Sequence, residues 1–303
     1  MSLDRLIEVG AARVREHAPF GARTTYRVGG SVRALVTLSS DDDVRELGPL
    51  LGATGLELFV LGNGSNVLVA DGELDVIGLV LTGSYEEMTW GEDGDAVRVS
   101  AGAGLDLPIA SRRLAKAGVV GFEWAVGVPG TFGGAVAMNA GGHGSDMRAS
   151  VEAVEVWRDG VMRTWGRDEL GLDYRTSALG RRDIVTRVRL VLAKGDVNEA
   201  QERIRDIVRW RREHQPGGAN AGSAFRNPEG DYAGRLIDEA GCRGQRWGSA
   251  VVSEKHANFI IADAGGRAND VFELLRTVRE RVFDVSGVTL ESEHRFLGFE
   301  GIA

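Results

Sequence analysis

Residues 61–71 read LGNGSNVLVAD and residues 127–141 read GVPGTFGGAVAMNAG. The first places Gly62, Gly64, Ser65 and Asn66 in a turn between two strand-like runs, ELFVLG and VLVA. Glycines there let main-chain N–H groups converge without Cβ obstruction, and Ser and Asn add neutral donors, a chemistry that suits a pyrophosphate. An ordinary tight hairpin has the same composition, so both readings are open at this point. It is not the dinucleotide fingerprint: Val67 stands where the third glycine belongs, and a strand follows rather than a helix. The second stretch lies within Trp124 to Gly142, 19 residues without a charge and long enough to span a bilayer. Six glycines, Pro129, Thr131 and Asn139 argue instead for a buried, backbone-rich loop with a short helix. Two such loops in successive units suggest one extended ligand held by main chain from both sides, with close glycine packing as the alternative.

Outward from these loops the pattern is mixed α and β. Residues 3–16 read as a helix and 24–38 as two short strands around Gly29 and Gly30. Ser40 and Asp43 form a capping-box signature for a helix to about Leu51, followed by the strand–turn–strand just described. Strand patterns recur at VIGLVLTG and AVRVSAG. Leu107, Ala110, Leu114 and Ala117 take helical spacing, with Gly118 placed to end that helix. The strands VEAVEVW and DIVTRVRLVLA come after the second loop, KGDVN reads as a linker, and EAQERIRDIVRWRRE as a helix. The chain closes with a helix over 270–285, striped by Val271, Leu275, Val278 and Val282, and a strand VTLESEHRFLG. The expected division is 1–70, 71–194 and 195–303.

Composition narrows the function. Of 303 residues 36 are basic and 44 acidic, a formal charge of −8, and Lys116, Lys194 and Lys255 are the only lysines. Bulk nucleic-acid binding is disfavoured, and any anion site must be local and arginine-based. Glycine, at 43 residues, is about twice the usual ~7% without a collagen period. The lone Cys242 excludes an internal disulfide and a thiolate cluster, and the five histidines show no zinc spacing. Neither GxxxxGK[ST] nor GxSxG occurs. Residues 1–20 lack a continuous apolar run, so no targeting segment is expected.

Further candidates are Tyr174 and Arg175 in DYRTS, Ser223, Arg226 and Asn227 in GSAFRNP, and Glu293 in LESEHRF. Singly each has a bland reading as a surface ion pair, a turn or a solvated strand face. In order, however, FGARTTYRVGG, LGNGSNVLVAD, GVPGTFGGAVAMNAG, DYRTS, AGSAFRNP, AGRLIDEAG, GSAVVSEKHANFII and LESEHRFLG closely resemble the UDP-N-acetylenolpyruvoylglucosamine reductase family, over residues 20–298.

The resemblance implies an α+β protein: a two-part FAD-binding region of the vanillyl-alcohol-oxidase-like (PCMH-type) kind, covering 1–70 and 71–194, and a C-terminal substrate-binding domain. FAD would be bound non-covalently by Leu61, Gly62, Asn63, Gly64, Ser65, Asn66 and Val67, and by Val126, Gly127, Pro129, Gly130, Thr131, Gly133, Gly134 and Ala135, with Asn139 and Arg295. Arg175, Ser223 and Glu293 match the catalytic trio; Tyr174, Arg226, Asn227 and His256 fall at substrate positions. Arg226 replaces the usual lysine. The short gap between Arg175 and Ser223 marks the subtype lacking the tyrosine loop. The implied protein is a cytoplasmic, monomeric enzyme of peptidoglycan precursor synthesis, using NADPH to reduce UDP-N-acetylglucosamine enolpyruvate. No membrane insertion, nucleic acid or metal is implied. Another FAD oxidoreductase on the same cofactor fold, or a flavin- or nucleotide-binding protein without catalysis, are the alternatives.

Overall fold

The structure is a computed structural model and describes residues 3–300. In chain order the first elements are α1 (Leu3–Gly10), β1 (Val14–Pro19), β2 (Ser31–Leu38), α2 (Asp41–Ala53), β3 (Glu57–Val60), β4 (Val67–Val69) and β5 (Glu73–Leu81). There follow β6 (Met88–Asp93), β7 (Ala96–Gly102), α3 (Leu107–Lys116), β8 (Val119–Val120), α4 (Phe132–Ala137), β9 (Gly141–Gly142), β10 (Ser145–Asp146) and α5 (Met147–Ser150). Then come β11 (Val151–Arg158), β12 (Val161–Gly166), β13 (Ile184–Lys194), α6 (Val197–His214) and α7 (Ala233–Glu239). Last are β14 (Arg246–Trp247), β15 (Ala250–Val252), β16 (Ile260–Ala262), α8 (Ala268–Ser286) and β17 (Arg295–Leu297).

Local chemistry explains most of these boundaries. Ser40 caps α2 in a true capping box, and hydrogen bonds from Ser39 and Arg13 hold the Asp43 carboxyl at about 2 although burial opposes it. Gly118, with φ 73°, follows the end of α3, and Gly287, with φ 73°, caps α8. The stripe of α8 is buried as its spacing requires: Val271, Leu275, Val278 and Val282 are at most 1% exposed.

The structure differs from the sequence reading in several places. The first helix stops at Gly10, and the residues that were to continue it form β1; Thr37 N–H bonds Arg13 O, so sheet pairing claims this stretch. Residues 24–30 form no strand, because Arg27 (φ 57°) and Gly29 (φ 105°) are left-handed and break any ladder. The 61–66 turn is no hairpin: β3 pairs in parallel with β5, and β4 pairs in parallel with β17. β6 and β12, largely exposed hairpin strands, carry too little apolar alternation to be read from sequence. The final strand is ordered as a ladder only over 295–297.

The chain divides into two compact units, each assembled from separated stretches. The first comprises 3–16, 33–63 and 75–211, the second 17–32, 64–74 and 212–300. α6 up to Arg211 groups with the first unit, where Ala200 and Ile204 pack on Ala115 and Val126. In that unit a sheet ordered β12-β11-β13-β7-β6 carries the largest apolar core, built with α3 and α4. The core of the second unit joins Tyr26 and Leu68 to the apolar faces of α7, α8 and the β14-β15-β16 sheet. Among the described residues no helix is long and apolar enough to cross a membrane, and no cluster of metal-ligating side chains occurs.

Candidate active site

The two glycine loops meet in the first unit. A Cβ built on Gly62 would overlap Thr131 Oγ1, so only glycine allows this approach. Asn63 Nδ2 donates to Asp106 Oδ1 at 2.6 Å, and Asp106 is paired with Thr131 across an antiparallel bridge. Leu107 N–H bonds Gly130 O. The chain over 126–135 runs through a 3-10 turn, Glu123–Gly127, into α4, as the backbone-rich loop with a short helix that the sequence led us to expect. At the start of α4 the N–H groups of Phe132 and Gly133 are spent on the carbonyls of Leu105 and Ala103.

The remainder of the first turn lies in the second unit. Gly64 takes φ 61° with a Cβ position only 2.6 Å from Thr24 Cα, which excludes larger residues. Asn66 is a junction: its Nδ2 donates to Glu293 O at 2.7 Å, and its own carbonyl accepts Arg295 N–H at 2.8 Å. Val67 stands opposite Arg295 in the β4–β17 ladder. Three expected flavin residues and one expected catalytic residue thus form one hydrogen-bonded patch. In the first unit Thr131 is a neutral donor among the main chain of Gly62, Gly130, Gly133 and Gly134, a set that fits a flavin dinucleotide.

Ser223 and Glu293 lie on neighbouring segments of the second unit. Glu293 N–H bonds Ala224 O, Arg226 N–H bonds Glu291 O, and Phe225 bridges Ser292. Asn258, 3% exposed, fixes this loop: its Oδ1 accepts Phe225 N–H, its Nδ2 donates to Phe225 O, and its carbonyl accepts Ala224 N–H. The sequence reading missed Asn258, although a polar residue inside HANFII, bound for the interior, signals a buried amide that must find partners.

Ser223, Asn227 and His256 line a cleft of about 410 Å³ with Tyr232, Arg235, Arg243 and Lys255, against one carboxylate, Asp238. Asn227 Oδ1 accepts the N–H of Ala233, the first residue of α7. Burial, aided by Arg243, lowers the His256 pKa, so the ring is neutral near pH 7. Its Nδ1 accepts Asn258 N–H at 3.2 Å, which assigns the proton to Nε2 as a donor. Arg226 reaches Glu291 Oε2 at 3.5 Å.

Tyr174 and Arg175 belong to the first unit, Ser223 and Glu293 to the second. Arg175, at φ 54°, is the third residue of a tight turn closed by reciprocal hydrogen bonds between Asp173 and Thr176. Its guanidinium lies 5.5 Å from the Tyr174 ring centroid and donates to Gly141 O.

Comparison with known proteins identifies the family. The family model described as FAD binding domain matches residues 32–162, and that for the UDP-N-acetylenolpyruvoylglucosamine reductase C-terminal domain matches 214–297. The UDP-N-acetylenolpyruvoylglucosamine reductase 2 of Symbiobacterium thermophilum is 40% identical over 289 residues, covering 94% of this chain and 92% of its own. The Geobacter metallireducens reductase is 41% identical over 285 residues, 93% of each chain. The crystal structure of the Thermus caldophilus reductase superposes with a TM-score of 0.81 at 38% identity, covering 94% of this chain and 99% of that one. The chain belongs to the UDP-N-acetylenolpyruvoylglucosamine reductase family.

Proposed function

We propose that this protein reduces UDP-N-acetylglucosamine enolpyruvate to UDP-N-acetylmuramate for peptidoglycan synthesis, with FAD as resident cofactor and NADPH as reductant. The observation that carries the reading is the pairing of the Ser223 and Glu293 segments beside a cleft holding Asn227 and His256. Residues 1–70 and 71–194 would supply the flavin-binding subdomains and 195–303 the substrate domain, in a cytoplasmic monomer.

FAD would be held by Leu61–Val67, by the loop from Val126 to Ala135 and by Arg295, without a covalent link, since neither loop offers a His or Cys. Two-electron chemistry is what bound FAD supplies. The chain's own groups act on the substrate. Adding hydride to the terminal vinyl carbon builds negative charge on the adjoining carboxylate, so a fixed cation there stabilises the transition state more than the ground state. Arg175 offers that cation as a planar fork, and Glu293 shares the task when it carries a proton. Ser223 Oγ donates a proton to the α-carbon. In the cleft, Asn227, Arg235, Arg243, Lys255 and the His256 Nε2–H would meet the nucleotide diphosphate, and Tyr174 and Arg226 would be further substrate contacts.

Incubation of the purified yellow protein with NADPH and the enolpyruvyl substrate should yield UDP-N-acetylmuramate, and acid precipitation should leave the colour in solution. Absence of product would refute the activity; flavin retained in the pellet would refute the non-covalent mode.

A further inference from the structure

Family resemblance places Asn139 among the flavin residues, but its hydrogen bonds lead elsewhere. It is 2% exposed and takes φ 38°, a left-handed shape that asparagine tolerates better than most side chains. Both amide protons are used inside the protein: Nδ2 donates to Asp173 O at 3.0 Å and to Asp146 Oδ2 at 3.2 Å. Oδ1 accepts Arg148 N–H at 2.9 Å. Asp173 O is the acceptor that closes the Arg175 turn, through Thr176 N–H at 3.1 Å. Two residues beyond Asn139, Gly141 O accepts from Arg175 Nη1 and Nη2, each at 3.4 Å. One short segment therefore grips the backbone of the turn through a side chain and the guanidinium through a carbonyl. A non-glycine residue persists at positive φ only where its surroundings over-determine it, and this grip is such a surrounding.

We propose that Asn139 is the positioning residue of Arg175, setting where its fork stands and touching neither flavin nor substrate itself. The proposal rests on the reading that Arg175 meets the substrate carboxylate.

The test uses the flavin-loaded protein and two variants. Asn139→Asp keeps shape but replaces both N–H donors; Asn139→Gly takes φ 38° without strain and removes the amide. Each is examined alone and combined with Arg175→Lys. Reoxidation of reduced flavin by the enolpyruvyl substrate should slow ~10-fold or more in both single variants, as expected for a misplaced group. Bleaching by NADPH and FAD affinity should stay within about twofold, and each double variant should be no more than about twofold slower than Arg175→Lys alone, because the two act as one unit. Amide exchange at Thr176, which needs no substrate, should accelerate ~10-fold or more as the turn loosens. Equal loss in both half-reactions, or weakened FAD binding, would make Asn139 a flavin contact; fully additive loss with Arg175→Lys would make its role merely structural. Unchanged Thr176 exchange would also overturn the proposal. Wild-type protein that is not reoxidised would overturn the reading of Arg175, while the exchange experiment still decides whether Asn139 holds the turn.

Discussion

The Arg175 turn and the Ser223 loop are each tied down by a buried asparagine, Asn139 in one and Asn258 in the other, yet they carry backbone strain in different places. In the turn the left-handed residue is Arg175 itself, φ 54°. In the loop it is Gly222, φ 77°, which adopts that shape at no steric cost and leaves Ser223 unstrained. The loop is further fixed by its pairing with 291–293 and by Ala224 and Phe225, both 1% exposed. The proposed proton donor is thus set by core packing and an isolated β-bridge, whereas the proposed carboxylate-binding cation is set by a few separable hydrogen bonds.

The largest effect expected from this difference falls on the loop. Ser223→Ala should reduce turnover ~10²-fold or more, as for loss of a positioned acid, while fold, flavin content and NADPH bleaching persist. Stopped-flow measurement of each half-reaction decides; reoxidation at the wild-type rate with normal solvent-proton incorporation would remove Ser223 from the mechanism.

Acid should strike the same region next. His294, beside Glu293, is 5% exposed, shares a 2.8 Å hydrogen bond between its Nε2 and the Tyr26 hydroxyl, and burial lowers its pKa to about 4. The unfolded imidazole takes up a proton near 6.5 and the folded one only near 4, so stability is full above pH 6.5 and declines as pH falls toward 4. The loss should approach about 3 kcal/mol at the end of that window. Urea midpoints against pH measure it, and His294→Phe should abolish most of the slope; an unchanged slope would assign it to other groups.

Arg175→Lys keeps the charge and loses the fork. It should slow reoxidation roughly tenfold to a hundredfold, the range of one charged hydrogen bond, and spare flavin reduction. Equal losses in both halves would mean that the turn is structural or serves both ligands. The smallest effect isolates backbone strain: nothing lies within 4 Å of a Cβ at Gly222. Gly222→Ala should therefore cost about 1–2 kcal/mol through φ alone, read from urea unfolding, and no loss would mean that the loop relaxes.

What could be read beforehand follows the physics of each signal. Capping at Ser40 and the stripe of α8 depend on near neighbours in sequence, and the structure reproduces both. Helical propensity beyond Gly10 was overridden by β1–β2 pairing, and the LGNGSN turn joined strands whose partners are remote, β5 and β17. Candidate site residues were found through ordered motifs; their supports were not. HANFII signals that Asn258 needs partners, but those partners, like the ones of Asp106 and the Gly141 carbonyl, lie far away in sequence, where no local pattern points.

The central claim is that this chain, loaded with FAD, reduces an enolpyruvyl ether with Ser223 as the proton donor. Bleaching the bound flavin anaerobically with NADPH, removing the nucleotide and adding UDP-N-acetylglucosamine enolpyruvate tests it directly. The account predicts return of the yellow colour with stoichiometric formation of UDP-N-acetylmuramate; flavin that stays bleached in the presence of that substrate would contradict it.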